Sequence, residues 1–130
     1  MLPKTMWNLK QLLEKHRVRA HPDFLPEFIG LIKNSGQERI ILTRLYTCLR
    51  MSDELGEDRY ATNNFERLKD YGNLCSLRII VEKVNMRILY SEDPAGQIWL
   101  HSFFKRAGKK KTDYAAHIPI AIERRNEVFR

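Results

Sequence analysis

Leu74-Cys75-Ser76-Leu77-Arg78-Ile79-Ile80-Val81 is the stretch where the apolar spacing of the chain changes. Before it, apolar residues return about every 3.6 positions; within it, every second residue is apolar. Cys75, Leu77, Ile79 and Val81 fall on one side of a strand, with Ser76 and Arg78 on the other. A second strand follows, in which Met86, Ile88 and Tyr90 alternate with Arg87 and Leu89. Glu92-Asp93-Pro94-Ala95-Gly96 has the Pro and Gly of a turn, and residues 97–104 form a third strand. The connections are short, so the three strands make an antiparallel meander.

Working outward, the upstream half reads as helical. Pro26 suits a first helical turn, where its missing N–H has no partner to lose. Phe24, Phe28, Leu31 and Ile32 form an apolar stripe, and Gly36 suits the exit. Ser35-Gly36-Gln37-Glu38 has the spacing of a capping box. Ile41, Leu42, Leu45, Cys48 and Leu49 share the face of the next helix, so the pair folds back as an antiparallel hairpin. Residues 1–19 are ambiguous between a helix and a strand. Residues 52–64 are polar and read as a loop, and Phe65 and Leu68 pin a short turn. Gly108 and three lysines read as a basic loop, followed by a last helix from Pro119 to Val128 or slightly longer. Helices first and antiparallel strands afterwards define an α+β fold, a single domain spanning residues 1–130.

The formal charge is +7, concentrated at the two ends. Residues 1–20, a basic N-terminal element, carry five basic and one acidic side chain, and residues 105–130 carry eight and three. The cluster Lys105, Arg106, Lys109, Lys110 and Lys111 suits a polyanion, because each contact neutralises a phosphate and releases a counterion. The longest stretch without a charged residue is 11 residues, 94–104, against the ~20 that a membrane span needs. Lys10 and Glu14 interrupt the only apolar stretch near the N-terminus, so no secretory pattern is expected and the chain reads as cytoplasmic. Cys48 and Cys75 suit small buried side chains in a reducing compartment. Trp7 and Trp99 read as core residues.

Leu77-Arg78-Ile79, then Arg87-Ile88-Leu89-Tyr90, then Ile98-Trp99-Leu100-His101-Ser102-Phe103-Phe104-Lys105-Arg106 resembles the RelE/HigB-like toxins of bacterial type II toxin–antitoxin systems, in particular their phage-derived branch. Ala121 and Arg124 match that branch's C-terminal helix. Ser102 stands where the branch has glycine, and Thr112-Asp113-Tyr114 where it has Lys-Thr-Pro. Asp113 is still able to cap a helix there. Pro119 would then lie inside that helix, which is either kinked or begins at Pro119. The resemblance implies a helical hairpin packed on a small antiparallel sheet, with a C-terminal helix. It also implies a ribosome-dependent, metal-independent mRNA endonuclease that inhibits translation, with a cognate antitoxin, mRNA and the ribosome as partners. No membrane and no small-molecule cofactor are expected. A non-catalytic RNA-binding or regulatory protein with the same fold is the alternative.

Cleavage without a metal uses the substrate's 2′-OH as nucleophile. It needs a base, cations for the charged phosphorane and an acid for the leaving oxygen. The sequence offers neither a His-x-x-x-His pair nor a Cys cluster. Arg87 is the first candidate for the phosphate, since its planar fork stays ionised. Lys105 and Arg106 end the third strand, where charges converge on one rim of the sheet, and Arg78 points to the exposed strand face. Lys109, Lys110 and Lys111 suit RNA backbone. His101, His117 and Tyr114 are the proton-transfer candidates. His101 shares a strand face with Trp99 and Phe103, which suits a core or RNA-stacking histidine, and Tyr114 is also a possible base-stacking platform.

Overall fold

A computed structural model describes residues 4–106 and 110–128. The order is α1 (Lys4–Lys15), β1 (Val18–Ala20), α2 (Phe24–Ser35), α3 (Glu38–Leu55), a 3-10 segment (Gly56–Ala61), β2 (Phe65–Arg67), β3 (Leu74–Val81), β4 (Val84–Asp93), β5 (Gly96–Phe104) and α4 (Lys110–Val128). Over the described residues the architecture is α+β, with four helices and five strands in the order β1-β5-β4-β3-β2. The expected meander of β3, β4 and β5 is present. The sheet is mixed rather than antiparallel, because β1 runs parallel to β5. The ambiguous N-terminal stretch holds both structures, a helix and then a three-residue strand.

The hairpin of α2 and α3 forms as its stripes require. Pro26 lies in the first turn of α2, and Gly36 ends that helix in the left-handed conformation, φ 72°. Ser35 does not open a capping box. It ends α2, and its hydroxyl accepts the Gln37 amide at 2.9 Å and donates to the Ile32 carbonyl. The polar segment after α3 is not a loop: α3 runs to Leu55, the 3-10 segment continues it, and the Phe65 turn is strand β2. A polar sequence is compatible with helix where the outward face meets water.

Helices α1, α2 and α3 cover one face of the sheet. Leu13, Phe24, Phe28, Ile32, Ile41 and Leu45 pack there on Leu77, Ile79, Met86, Ile88, Tyr90 and Trp99. Trp7, by contrast, is 50% exposed on α1 and is not a core residue. Helix α4 covers the opposite face with Tyr114, Ile118 and Ala121 against Leu74, Leu89, Leu100 and Phe103. It begins at Lys110, not at Pro119, and runs continuously through the proline. Pro119 is exposed, and within the helix it removes one donor and crowds the carbonyl four residues back. Lys110 and Lys111 therefore belong to the first turn of α4 rather than to a loop, and Lys109 lies outside the described residues. Among the described residues no helix is long and apolar enough to cross a membrane.

Two local devices place the C-terminal half. Gly96 is at φ 132°, and a Cβ there would sit 2.2 Å from the Arg17 carbonyl oxygen. Only glycine lets β5 start beside β1. Further along β5, Tyr90 faces Trp99 while Leu89 faces His101, so Leu100 is an extra residue, a β-bulge. The bulge reverses the alternation. Trp99 goes into the α1–α3 core, and His101 and Phe103 go to the α4 side. The expected shared face of Trp99 and His101 is thus broken by one inserted residue.

Candidate active site

Arg78 on β3 and Arg87 on β4 are direct cross-strand partners, side by side on the α4 face. Like charges placed opposite each other in a sheet oppose pairing. Arg78 is relieved by an ion pair with Glu66 on β2, at 2.9 Å. Arg87 is 5% exposed, and among the described residues no carboxylate lies within ion-pair distance of it. Neither Glu82 nor Glu92 pairs with it, and Glu92 is held by Arg59 instead. Arg87 donates through Nε to the Tyr114 hydroxyl at 3.0 Å, and through Nη1 to the Asn85 side-chain oxygen and the Met86 carbonyl. These neutral partners fix the guanidinium without neutralising it. A buried charge held without a carboxylate partner is costly.

Tyr114 enters from the first half of α4. Its hydroxyl meets Ser76 Oγ at 3.0 Å as well as Arg87, and its ring stands edge-on to Phe103 at 5.7 Å. One turn further along α4, His117 stacks on the other side of this group, 4.0 Å from the Phe103 ring and parallel to it. Arg87 and Phe103 are themselves cross-strand partners. The sheet therefore assembles Arg87, Phe103, Tyr114 and His117 in one layer beneath α4.

His101 is 4% exposed and joins this layer at the free edge of β5. Strand β1 pairs only with Gln97, Ile98 and Trp99. Past that point the edge is satisfied by side chains. Arg124 of α4 donates to the Leu100 carbonyl at 2.9 Å, and the Ser102 amide donates to Glu27 of α2 at 2.9 Å. Glu27 and Arg124 are paired at 3.1 Å. Both Glu27 oxygens lie 2.9 Å from His101 Nδ1, and His101 Nε2 lies 2.7 Å from His117 Nδ1. Burial raises the Glu27 carboxyl, but the hydrogen bonds from His101, the Ser102 amide and Arg124 outweigh it and hold the group below the usual range. His117 is pushed below the ordinary histidine value, first by burial and then by the neighbouring His101.

The remaining cations are less free. Arg106 donates through its backbone N–H to Asp113 at 2.7 Å and through its guanidinium to the same carboxylate. Asp113 does not cap α4 from outside; it lies in the first turn and ties it to the end of β5. The Arg106 amide and guanidinium keep the Asp113 carboxyl below the usual range against the opposing effect of desolvation. Lys105 follows β5, with its amide on the Asn85 carbonyl and its ammonium 3.5 Å from the Arg106 carbonyl. Arg87, Tyr114, His117 and His101 are thus brought together, Arg78 adjoins them, and Lys105 and Arg106 stand at the strand end beyond. Glu27, Ser76 and Asn85 were not singled out by the sequence. Glu27 sits on an apolar helix 74 positions before His101, and only the tertiary fold joins them.

Among the described residues no group of three His, Cys, Asp or Glu is arranged to hold a metal ion. No family model, no curated protein and no solved structure matches the chain.

Proposed function

We propose that the chain is the toxin component of a toxin–antitoxin system, a ribosome-dependent endoribonuclease that cleaves mRNA through the substrate's own 2′-OH. The observation that carries this reading is Arg87, a buried guanidinium with only neutral partners in the middle of the sheet. Arg87 holds the scissile phosphate and stabilises the charge that grows on it. Arg78 adds field from the adjacent strand. His117 takes the 2′-OH proton, its lowered pKa keeping it neutral at physiological pH. Tyr114 accepts from Arg87 and keeps its own proton for donation, to Ser76 or to a leaving 5′-oxygen. Lys105, Lys109, Lys110 and Lys111 attract the RNA backbone without choosing sequence. The likeness to RelE/HigB-like toxins stands behind the ribosome, the cytoplasmic setting and the antitoxin, which would present acidic residues to the basic end of the chain.

A second reading, an RNA-binding or regulatory protein without catalysis, draws on the carboxylates that already neutralise Arg78 and Arg106. Induced expression in bacteria separates the two. Rapid growth arrest with transcripts cut inside translated frames is the result expected of the toxin. Accumulation without arrest and with intact transcripts would contradict it.

A further inference from the structure

At the edge of β5, Glu27 and His101 stand behind His117 and have no part in the cleavage chemistry outlined above. Glu27, His101 and His117 form a continuous line from α2, past the strand edge, to α4. Hydrogen-bond accounting sets the direction of that line. The Glu27 carboxylate only accepts, so His101 Nδ1 carries the proton facing it. With both rings neutral, His101 Nε2 is then a lone pair, and His117 Nδ1 supplies the proton between the rings. That leaves His117 Nε2 as a lone pair. His117 is half-exposed, and its Nε2 has no hydrogen-bond partner among the described residues and is not closed off from solvent. Phe103, stacked 4.0 Å from the ring, restricts its rotation.

We propose that Glu27 is the positioning residue of the general base: through His101 it fixes His117 in the Nδ1–H tautomer, with Nε2 as the proton acceptor. This rests on the ribonuclease reading for its catalytic meaning, but the tautomers exist or fail independently of activity. On proton transfer His117 becomes an imidazolium, and its Nδ1–H leans on a histidine that leans on a carboxylate. Charge is thus stabilised over two hydrogen bonds, and no proton need leave His101. The charged groups facing the pair are Glu27 from α2, Asp113 and Arg124 from α4, and Arg106 from the end of β5. Arg124 Nη1 also lies 3.4 Å from His101 Nδ1, but it donates at 2.9 Å to the Leu100 carbonyl and the guanidinium pairs with Glu27 at 3.1 Å, so it holds the carboxylate in place.

The test uses the full chain, labelled with 15N, and its Glu27→Gln variant. Long-range 1H–15N spectra at pH 8 report the tautomer of each ring. Cleavage of ribosome-bound mRNA is followed in parallel against pH. The expected wild-type result is Nδ1–H for both His101 and His117. Glu27→Gln is expected to lose that uniform tautomer, to cleave about 10²-fold more slowly, and to move the acidic limb of the rate profile to lower pH, because a carboxylate that favoured the imidazolium is gone. Nε2–H on wild-type His117 overturns the proposal whatever the variant does, including a variant that fails to fold. A folded Glu27→Gln with the wild-type rate and limb overturns it as well. A wild-type protein that cleaves nothing yet shows both Nδ1–H tautomers supports the relay and refutes the ribonuclease reading.

Discussion

The two faces of the sheet are built from the same strands on opposite terms. Toward α1, α2 and α3, the strands present Leu77, Ile79, Met86, Ile88 and Trp99, apolar side chains that gain from leaving water. Toward α4 they present Ser76, Arg87 and His101 among Leu89, Leu100 and Phe103. Burying a guanidinium and an imidazole costs free energy that aliphatic side chains of similar size would not. The first face therefore holds the fold together, and the second keeps costly groups where the proposed cleavage would use them.

The sharpest way to break this contrast is to truncate one residue on each face. Phe28 is fully buried and stacked on Phe24. Phe28→Ala should cost about 3–5 kcal/mol of stability, measured by denaturant unfolding; a loss under ~1 kcal/mol would mean that the hairpin does not anchor the sheet. On the other face, Arg87→Met should slow cleavage by about 10²–10³-fold, or roughly 3–4 kcal/mol, while thermal unfolding stays unchanged or rises. Normal cleavage would remove Arg87 from the site. An unfolded variant would show that the α4 face is structural like its opposite.

Replacing Lys109, Lys110 and Lys111 together by Gln should act on binding alone. The logarithmic salt slope of RNA affinity should fall by roughly 2–3, with thermal stability little altered. A slope equal to wild type would show that the cluster does not meet RNA.

The smallest effect expected is the pH dependence of the α4 face. His117 is lowered in the fold, so the unfolded chain protonates first as pH falls below about 6.5. Wild type then loses stability relative to His117→Gln between pH 8 and pH 5. Glu27 and Asp113 are lowered carboxyls. Their contribution is complete above the ordinary carboxylate range and is lost as pH falls through their lowered values. Thermal unfolding of the two proteins from pH 8 to pH 3 tests both steps; a difference that grows in favour of wild type between pH 8 and pH 5 would contradict the sign for His117.

The apolar face was the legible one. Alternation in β3, β4 and β5 and the stripe of α2, with Pro26 and Gly36 at its ends, are periodic signals that a single sequence displays. What escaped had no such signal. A three-residue strand such as β1 carries too few residues to alternate, and nothing local marks its parallel pairing with β5. Pro119 argued for a helix start, yet α4 runs continuously through it. One bulged residue, Leu100, reversed the partners of His101. Arg87, Tyr114 and His117 were legible as chemical types suited to phosphate binding and proton transfer. Their grouping, and the carboxylate of Glu27 behind them, depends on α2 and α4 meeting at a strand edge.

The claim that the α4 face serves 2′-OH attack is tested most directly by the ends it leaves on RNA. Ribosome-bound mRNA cut by the purified protein should yield a 2′,3′-cyclic phosphate on one fragment and a 5′-hydroxyl on the other, and a single 2′-deoxy substitution at the cut should stop the reaction. Fragments bearing a 5′-phosphate, or cleavage that persists on the 2′-deoxy substrate, would show that water rather than the 2′-OH is the nucleophile.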